Sequence, residues 1–328
     1  MAALPSLPWW AFALAMATAL GVALAVDHWL GEPPVRWHPV VWIGNYLGWA
    51  GRRVAPPMGA VASQAGSFVA GALAWCVGAA VVVGVAIALQ AALWRLPFWL
   101  AVPLLGLLLK PLLAWRMLRS EVLSVEAALG MSLDAGRARL AHLVSRDVQA
   151  LGEAEVRESA IESLAENLND SVVAPILWFV LFGLPGAALY RFANTADAMW
   201  GYRGERGGRD WTWAGKWAAR ADDVFSWLPA RLTALLLWAD PAGARPAMAM
   251  LRIEARRTPS PNSGWPMAAM ALRLGIRLGK PGVYTLHTAG RVPVPADTLS
   301  AVARGERAVR VLALCAAPVL GLVARWAA

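Results

Sequence analysis

The sequence predicts an all-α, polytopic integral membrane protein with about 4–6 apolar segments, some broken or re-entrant, plus juxtamembrane helices and ordered loops. Hydrophobic residues make up 59% of the 328 residues and charged residues only 16%, whereas about a quarter of an average soluble domain is charged. The chain also contains 29 glycines, 22 prolines and 19 tryptophans. Glycine and proline are tolerated within membrane helices, and tryptophan concentrates at membrane interfaces. We therefore expect a single integral membrane domain over residues 1–328.

The net charge of +9 has two interpretations. Basic loops on the cytoplasmic side and contact with anionic lipid would account for it, and part of the excess could instead serve an anionic substrate. The basic residues are scattered along the chain rather than gathered on one recognition helix, so we expect no nucleic acid as a partner.

Two apolar runs near the amino terminus predict membrane spans. Residues 9–26 are uncharged and long enough to cross a bilayer, and residues 66–94 form the clearest span in the sequence. Because residues 1–8 carry no Lys or Arg, the first run lacks the basic region of a cleaved signal peptide. We expect it to be a retained anchor.

Prolines interrupt the segments next to these spans. In residues 27–53 they predict an ordered loop at the membrane surface rather than a regular helix. The prolines concerned are Pro33, Pro34 and Pro39. Residues 96–115 form a third candidate span, which contains three further prolines and carries Lys110 near its end.

The middle of the chain alternates polar and apolar segments. Residues 116–170 and 191–223 predict polar helical segments, and their juxtamembrane carboxylates make them candidate active-site segments. Residues 171–190 between them are uncharged. This apolar run contains four helix-breaking residues, Pro175, Gly183, Pro185 and Gly186. A plain span would place two polar segments with six basic residues each on opposite sides of the membrane, against the positive-inside rule. A re-entrant or broken element would bring both to one face, and both interpretations stay open.

Three segments complete the chain. Residues 224–239 and 311–324 are short apolar membrane segments, and residues 240–310 form a basic extramembrane segment that contains the turn sequence PNSG. Cys76 and Cys315 lie in apolar runs without CxxC spacing. We expect them to be buried small hydrophobic residues rather than a disulfide or a zinc site.

An acidic stripe precedes the broken apolar run. Its carboxylates follow one another at four-residue intervals: Glu158, Glu162, Glu166 and Asp170. On a helix they would share one face and repel one another, so the stripe needs solvent, basic partners or a metal. Asn167 and Asn169 lie beside it. A face that binds Mg²⁺ together with phosphate oxygens and a solvated helix face are both open alternatives.

Two further polar groups follow the broken run. Asn194 and Asp197 are three residues apart and could ligate a hard cation or cap a helix. The next group consists of Lys216, Arg220, Asp222, Asp223 and Arg231. Arg220 and the two aspartates could form a surface ion-pair network. Arg231 lies in an apolar run, where a buried cation needs a carboxylate or a phosphate as its partner.

A fourth polar group lies in loops, where functional sites are commonly built. It contains Asp27, Glu32, His38 and Asn45 of the first loop, with Asn262 of the PNSG turn. No GxxxxGK[ST], HExxH, GxSxG or GxGxxG sequence occurs. A nucleotide would therefore bind without one of the familiar phosphate-binding motifs.

Five motifs together resemble a known family. They are DHWLGEPPVRWHPVVWIG, ESAIESLAENLNDSVVAP, GLPGAALYRFANTADAMWGYR, AARADDVFSWLPARL and PNSGWPMAAMALRLGI. In this order and spacing they resemble the CobD/CbiB family, the membrane adenosylcobinamide-phosphate synthases of cobalamin biosynthesis, over residues 27–284. Departures from the family pattern at Val148, Ser171 and Arg191 remove no candidate carboxylate.

The resemblance implies an amide ligase. Family members use ATP to join (R)-1-aminopropan-2-ol phosphate, or free aminopropanol, to adenosylcobyric acid, which gives adenosylcobinamide phosphate. The resemblance therefore implies ATP and Mg²⁺, the corrinoid and the aminopropanol phosphate as substrates, the lipid bilayer as a partner, and later enzymes of nucleotide-loop assembly as candidate partners. It also implies a multi-pass protein of the bacterial cytoplasmic (inner) membrane, with the active site facing the cytoplasm.

The same resemblance assigns roles to the candidate residues. The catalytic set is Glu162, Glu166, Asp170, Asp222 and Asp223. The metal ligands are Glu162, Glu166, Asp170, Asn194 and Asp197. The substrate and phosphate contacts are Asp27, Glu32, His38, Asn45, Asn167, Lys216, Arg220, Arg231 and Asn262. The first loop and the PNSG turn would frame the corrinoid.

Two other classes of protein are alternatives to the enzyme. One is a non-catalytic membrane sensor or accessory protein of the AmpE type, and the other is a transporter with broken helices around a midplane site. Both acidic clusters occur together with the NTADAM and PNSG segments, which favours the enzyme. The sequence shows no inverted-repeat symmetry, which disfavours the transporter.

Overall fold

The computed structural model describes residues 8–241 and 246–327. Within these residues the regular structure is twelve α-helices, with short 3₁₀ and π-helical turns, and two small hairpins, which confirms the all-α prediction. The helices are α1 (Trp9–Trp29), α2 (Pro39–Val54), α3 (Gln64–Leu93), α4 (Phe98–Leu109), α5 (Trp115–Leu129), α6 (Leu133–Leu140), α7 (Glu153–Leu168), α8 (Ala174–Trp200), α9 (Lys216–Trp238), α10 (Met248–Ala255), α11 (Gly264–Leu274) and α12 (Pro295–Ala327). The antiparallel strand pairs are β1 (Glu205–Arg206) with β2 (Arg209–Asp210) and β3 (Leu278–Lys280) with β4 (Tyr284–Leu286).

Five described helical stretches are long and apolar enough to cross a membrane, which supports a multi-pass membrane protein. They are Trp9–Trp29, Gln64–Leu93, Phe98–Leu129, Glu153–Trp200 and Pro295–Trp326. The first contains the predicted span 9–26, and the second contains residues 66–93 of the predicted span 66–94. Helix α9, which contains the predicted segment 224–239, is not among them. Segment 311–324 is part of the long helix α12, which begins at Pro295 within the predicted extramembrane segment 240–310. Residues 242–245 of that segment lie outside the described part of the chain.

The described residues divide into two compact units. The first comprises those of Met1–Ala114, Ala174–Phe225 and Ala316–Ala328, and the second those of Trp115–Val173 and Ser226–Cys315. The candidate site residues are therefore distributed over two units, and each unit is described by itself.

In the first unit, α2, α3 and α8 contribute to an aromatic core. Trp200 is 1% exposed, and its indole Nε1 donates a hydrogen bond to the carbonyl of Leu47 at 3.1 Å. Its ring stacks on Trp211 with a centroid distance of 6.1 Å. Gly51 permits this packing, because a Cβ at that position would lie 2.8 Å from Trp200 Nε1. The core thus fixes α2 against the end of α8.

The prediction of one loop over residues 27–53 is wrong. Helix α2 begins at Pro39, because a proline at the first helical position loses no intrahelical hydrogen bond. The ring of His38 caps this helix by accepting a hydrogen bond from a backbone N–H at 3.3 Å. Only residues 30–38 lie between α1 and α2, so Asp27 and Asn45 lie in helices instead of a loop.

The apolar run 171–190 is broken, as predicted, and the break falls at Gly183. Its backbone has φ 68° and ψ −156° inside α8, a region that is essentially restricted to glycine. The N–H of Leu184 beyond the break donates to Gln90 Oε1 of α3 at 2.8 Å, so the amide that the break releases is satisfied inside an apolar environment. Whether this element spans or re-enters stays a prediction.

In the second unit, the buried side chain of Arg157 on α7 connects α7 to neighbouring helices. Its Nε and Nη2 donate to the two carboxylate oxygens of Glu126 on α5, both at 2.8 Å, and Nη2 also lies 3.0 Å from Glu153. The hydroxyl of Thr298 on α12 donates to Glu126 at 2.6 Å. One bidentate ion pair therefore joins three helices.

The cysteine prediction is half wrong. Cys76 and Cys315 are free cysteines, as expected, but both are exposed rather than buried. They lie on α3 and α12, two of the candidate spans. A small apolar side chain on the surface of a membrane helix contacts lipid without cost, so exposure here needs no polar partner.

We predict that Gly183→Ala destabilises the protein. This backbone conformation costs an alanine about 1–3 kcal/mol, and the added Cβ would lie 2.6 Å from Gln90 Oε1. Thermal unfolding of the detergent-solubilised full-length protein measures the effect. Gly84→Ala is the matched control, since Gly84 lies in α3 with nothing within 4 Å of an added Cβ. Equal unfolding midpoints for the two variants would contradict the proposed strain.

Candidate functional site

The acidic stripe on α7 is buried and paired with basic groups. Glu158 and Glu162 are 4% and 6% exposed. Glu158 Oε1 accepts a hydrogen bond from Arg277 Nε at 2.9 Å, and Glu162 Oε2 lies 3.3 Å from Arg146 Nη2. The other oxygen of Glu162 accepts a short hydrogen bond from the hydroxyl of Tyr284. Of the alternatives raised by the sequence, a solvated face is wrong for these two carboxylates, and basic partners balance their charge.

The β3–β4 hairpin positions Tyr284. Pro281 and Gly282 form its turn, in which Gly282 adopts φ 72° and the N–H of Val283 donates to the carbonyl of Lys280 at 3.0 Å. Only glycine adopts this φ without strain. Burial raises the pKa of Tyr284, and the nearby charge of Glu162 raises it further. The phenol therefore stays protonated at neutral pH and donates to the carboxylate.

A small charged cavity lies beside this group in the second unit. Its volume is about 160 Å³, and its polar lining includes Arg146, Glu162, Glu166, Asn167, Lys280 and Tyr284. Pockets for drug-sized ligands measure about 300–1,000 Å³, so this cavity suits a phosphoryl group, an ion or waters. Two carboxylates and two cations around one small space can hold a metal-bridged phosphate.

The stripe ends sooner than the sequence predicts. Helix α7 ends at Leu168, and a π-helical turn over Asn169–Val173 follows. Asp170 lies in this turn, where it accepts a hydrogen bond from Asn169 Nδ2 at 2.7 Å, and it is not part of the cavity lining. The change in helical period rotates Asp170 away from the four-residue spacing.

The oxygen donors at the cavity suit Mg²⁺ without forming a complete protein site. Within residues 8–241 and 246–327 no group of three or more His, Cys, Asp or Glu side chains could hold a metal ion. Mg²⁺, however, is usually bound through one or two carboxylates together with substrate phosphates and waters. Glu162 and Glu166 line the same cavity and supply two such carboxylates.

The second acidic cluster belongs to the first unit. Asn194 Nδ2 of α8 lies 3.5 Å from Asp222 Oδ1 of α9. Asp197 packs closely against Gly201, where an added Cβ would lie 1.9 Å from Asp197 Oδ1. Burial raises the pKa of Asp223, while the charge of nearby Arg203 acts in the opposite direction. The structure thus brings the NTADAM segment and the paired aspartates together.

The predicted ion-pair network of Arg220 is absent from the described part of the chain. Arg220 is exposed, and neither Asp222 nor Asp223 forms a salt bridge with it there. Lys216 lies with its Nζ 3.7 Å from the ring centroid of Trp213, a cation–π contact.

Glu32 of the first loop belongs to a buried charge cluster, together with Asp27 of α1 and with Lys110, which directly follows α4. Lys110 Nζ lies 3.3 Å from Asp27 Oδ1 and 2.8 Å from Glu32 Oε2. His38 Nε2 is 3.1 Å from the same oxygen of Glu32 and donates to it, because its Nδ1 already accepts a hydrogen bond. Burial raises the pKa of Glu32, but the hydrogen bonds from His38 and Lys110 outweigh it and leave the pKa below its usual value.

A large apolar cavity adjoins this cluster in the first unit. It measures about 770 Å³ and is lined by residues of α1–α4 and α8 together with the first loop. Glu32 and Lys110 supply charged groups, and Trp37, Trp42 and Tyr46 supply aromatic walls. Its size is in the range of small-molecule binding pockets.

The structure gives Arg231 protein partners. Its guanidinium lies between the rings of Trp227 and Trp265, 4.8 Å from each centroid. It donates to Asn262 Oδ1 at 2.5 Å and to the carbonyl of Pro261 at 3.0 Å. Arg231 therefore holds the PNSG turn, and its half-buried charge is met by an amide, a carbonyl and two indoles instead of a carboxylate.

Sequence reasoning missed four residues that complete these clusters. Arg146, Arg277, Lys280 and Tyr284 lie around the α7 carboxylates, at sequence separations of up to 122 residues. The Pro-Gly pair at 281–282 is a turn signal that would have predicted the hairpin, but nothing local indicates what its tyrosine contacts.

We predict that Lys110→Met lowers the stability by about 3–5 kcal/mol, because it leaves buried carboxylates without their cation. The unfolding midpoint of the purified full-length protein measures the loss. Adding Asp27→Asn and Glu32→Gln to the same chain is expected to restore most of it. An unchanged midpoint for Lys110→Met alone would show that the cation is dispensable.

The fold and these clusters define a multi-pass α-helical membrane protein with buried charged sites. The profile of the CobD/Cbib protein family matches residues 20–312. The chain belongs to this family.

Curated relatives agree with this assignment. The chain is similar to the "Probable cobalamin biosynthesis protein CobD" of Thermococcus kodakarensis, with 42% identity over 80% of this chain and 82% of the relative. The protein of the same name from Pyrococcus abyssi is 40% identical over 93% of this chain and 94% of the relative. The "Cobalamin biosynthesis protein CobD" of Rhodobacter capsulatus is 37% identical over 95% and 98%. No solved structure matches the chain.

Proposed function

We propose that this protein is an amide ligase of cobalamin biosynthesis. It would join (R)-1-aminopropan-2-ol phosphate, or free aminopropanol, to adenosylcobyric acid and form adenosylcobinamide phosphate. The observation that carries the proposal is the charged cavity at α7, where Glu162 and Glu166 face Arg146, Lys280 and Tyr284, in a chain of the CobD/CbiB family.

The chemistry of amide formation motivates these assignments. A carboxylate does not condense with an amine at neutral pH, so ATP would first convert the corrinoid carboxylate to an acyl phosphate, which the amine then attacks with release of phosphate. Glu162 and Glu166 would hold Mg²⁺, which neutralises phosphoryl charge when bound. Arg146 and Lys280 would stabilise the charge that develops on the phosphoryl oxygens.

The roles that the sequence suggested for residues of the first unit are kept as proposals. Asp223, whose pKa is raised by burial, suits a base that takes a proton from the attacking ammonium. The aromatic and charged walls of the 770 Å³ cavity, together with the first loop, would receive part of the corrinoid. Asn194, Asp197 and Asp170 remain proposed metal ligands on the family resemblance alone, since Asp170 does not line the α7 cavity.

The cellular setting is part of the same proposal. A product that later enzymes extend into the nucleotide loop favours a protein of the bacterial cytoplasmic (inner) membrane whose active site faces the cytoplasm, where ATP is available. Later nucleotide-loop assembly enzymes would be its partners. The alternative is a non-catalytic sensor or accessory protein of the AmpE type, for which buried charge clusters would serve stability alone.

Loss of a residue that only supports a metal ligand typically reduces activity by roughly 10- to 100-fold. We predict that Glu166→Gln, which removes a proposed ligand itself, reduces amide formation by more than that. The assay mixes detergent-solubilised protein with adenosylcobyric acid, aminopropanol phosphate and Mg-ATP, and detects the product by mass. Expression and membrane insertion should stay normal, because the substitution preserves shape.

Glu153→Gln is the matched control, since Glu153 lies on the same helix but its side chain is 63% exposed and its partner Arg157 does not line the cavity. Full activity of both variants would exclude the metal-site assignment. No turnover by the wild-type protein with either amine would favour the accessory role.

A further inference from the structure

The second unit contains another cavity besides the one at α7. Its lining includes basic residues but no carboxylate. It measures about 560 Å³ and lies among α9, α10 and the PNSG turn. Three arginines line it, Arg231, Arg252 and Arg256, with Trp227, Ser260 and Trp265 as further walls. A pocket with three positive charges and no acidic lining residue attracts an anion.

Two of these arginines are available to a ligand. Arg252 and Arg256 are four residues apart, so they lie on the same side of α10, and both are exposed. Neither guanidinium forms an ion pair or a hydrogen bond with another residue of the described ranges 8–241 and 246–327. Their neighbour Arg257 differs, because its Nε lies 3.0 Å from Glu254 Oε2.

Arg231 has another role in this pocket. Its hydrogen bonds to Asn262 and Pro261 and its position between two indole rings hold it in place. It therefore fixes the walls of the pocket and adds a constant positive field, while Arg252 and Arg256 are left to contact the anion.

Apolar side chains surround the charged pocket. On α10, Met248, Met250 and Ile253 are 47%, 41% and 60% exposed, and on α9 Trp227 and Leu228 are 56% and 47% exposed. Helix α10 is too short to cross a bilayer. Exposed apolar residues next to arginines and a tryptophan are typical of helices that lie in the membrane interface.

We propose that this pocket binds the headgroup of an anionic phospholipid. Arg252 and Arg256 contact the phosphate oxygens, and the exposed side chains of α10 and α9 contact the adjoining acyl chains. A soluble phosphate would use the arginines but would leave the apolar surface unexplained, whereas a phospholipid matches both. The site lies outside the cavity of the proposed amide ligase and requires no catalytic activity.

The experiment titrates the full-length detergent-solubilised protein with dioctanoyl phosphatidylglycerol and follows the thermal shift and tryptophan fluorescence. Dioctanoyl phosphatidylcholine and inorganic pyrophosphate are the comparison ligands. We expect phosphatidylglycerol to bind more tightly than either. The double substitution Arg252→Gln with Arg256→Gln should weaken its binding by about 30-fold, which is the effect of two basic residues near a lipid surface.

Arg257→Gln is the matched control, because it removes the same charge from the next position but not from the pocket lining. It should weaken phosphatidylglycerol binding far less than the double substitution. Since Arg252 and Arg256 are exposed and support no other group, the lipid-free unfolding midpoints should agree within about 1 °C. If the double variant does not fold, the two single variants each provide the same comparison.

Three results would overturn the proposal. Equal weakening by Arg257→Gln would mean that the basic surface attracts lipid without a defined site. Equal affinity for phosphatidylcholine would remove the role of charge. If pyrophosphate displaced phosphatidylglycerol and bound at a lower concentration than the lipid does, the ligand would be a soluble phosphate instead.

Discussion

Compensation of buried charge is the constraint on which this structure depends. An apolar interior cannot hold an isolated charge, because desolvation costs several kcal/mol per ion. Lys110 meets this cost with Asp27 and Glu32 in the first unit. Arg157 does so in the second unit through its bidentate pair with Glu126. Each pair joins elements that are distant in the sequence, so the need to neutralise a charge also determines which helices meet.

The acidic face of α7 shows how the same constraint produces a site. Four-residue spacing of carboxylates would destabilise an isolated helix. In the second unit, cations come from two other elements, Arg146 before α7 and Arg277 next to the hairpin, and Tyr284 adds a hydrogen bond. Without these cations and the protonated phenol, repulsion between the carboxylates would keep them from lining one small cavity together. The site is therefore a consequence of tertiary packing, and α7 could not hold it without the hairpin.

This origin explains what the sequence could and could not predict. Uncharged runs predicted the long apolar helices α1 and α3, because hydrophobicity over a bilayer length is a local property. The break at Gly183 was predictable for the same reason, since glycine and proline act locally. The hydrogen bond from Tyr284 to Glu162 was not, because it joins residues 122 positions apart. Pro39 was interpreted as a helix breaker, but it begins a helix. The effect of a proline depends on whether it is the first helical residue or an interior one.

The pairing of Glu162 does not prevent it from taking the part proposed for it. An ionised carboxylate has two oxygens with about four lone-pair positions. Tyr284 uses one oxygen and Arg146 approaches the other at 3.3 Å, which leaves lone pairs for a divalent cation. Arg146 lines the same cavity, so its guanidinium would be available to the oxygens of a bound phosphate as well as to the carboxylate. The ion pair that stabilises the ligand-free protein would in this way supply the cation that the phosphoryl group needs.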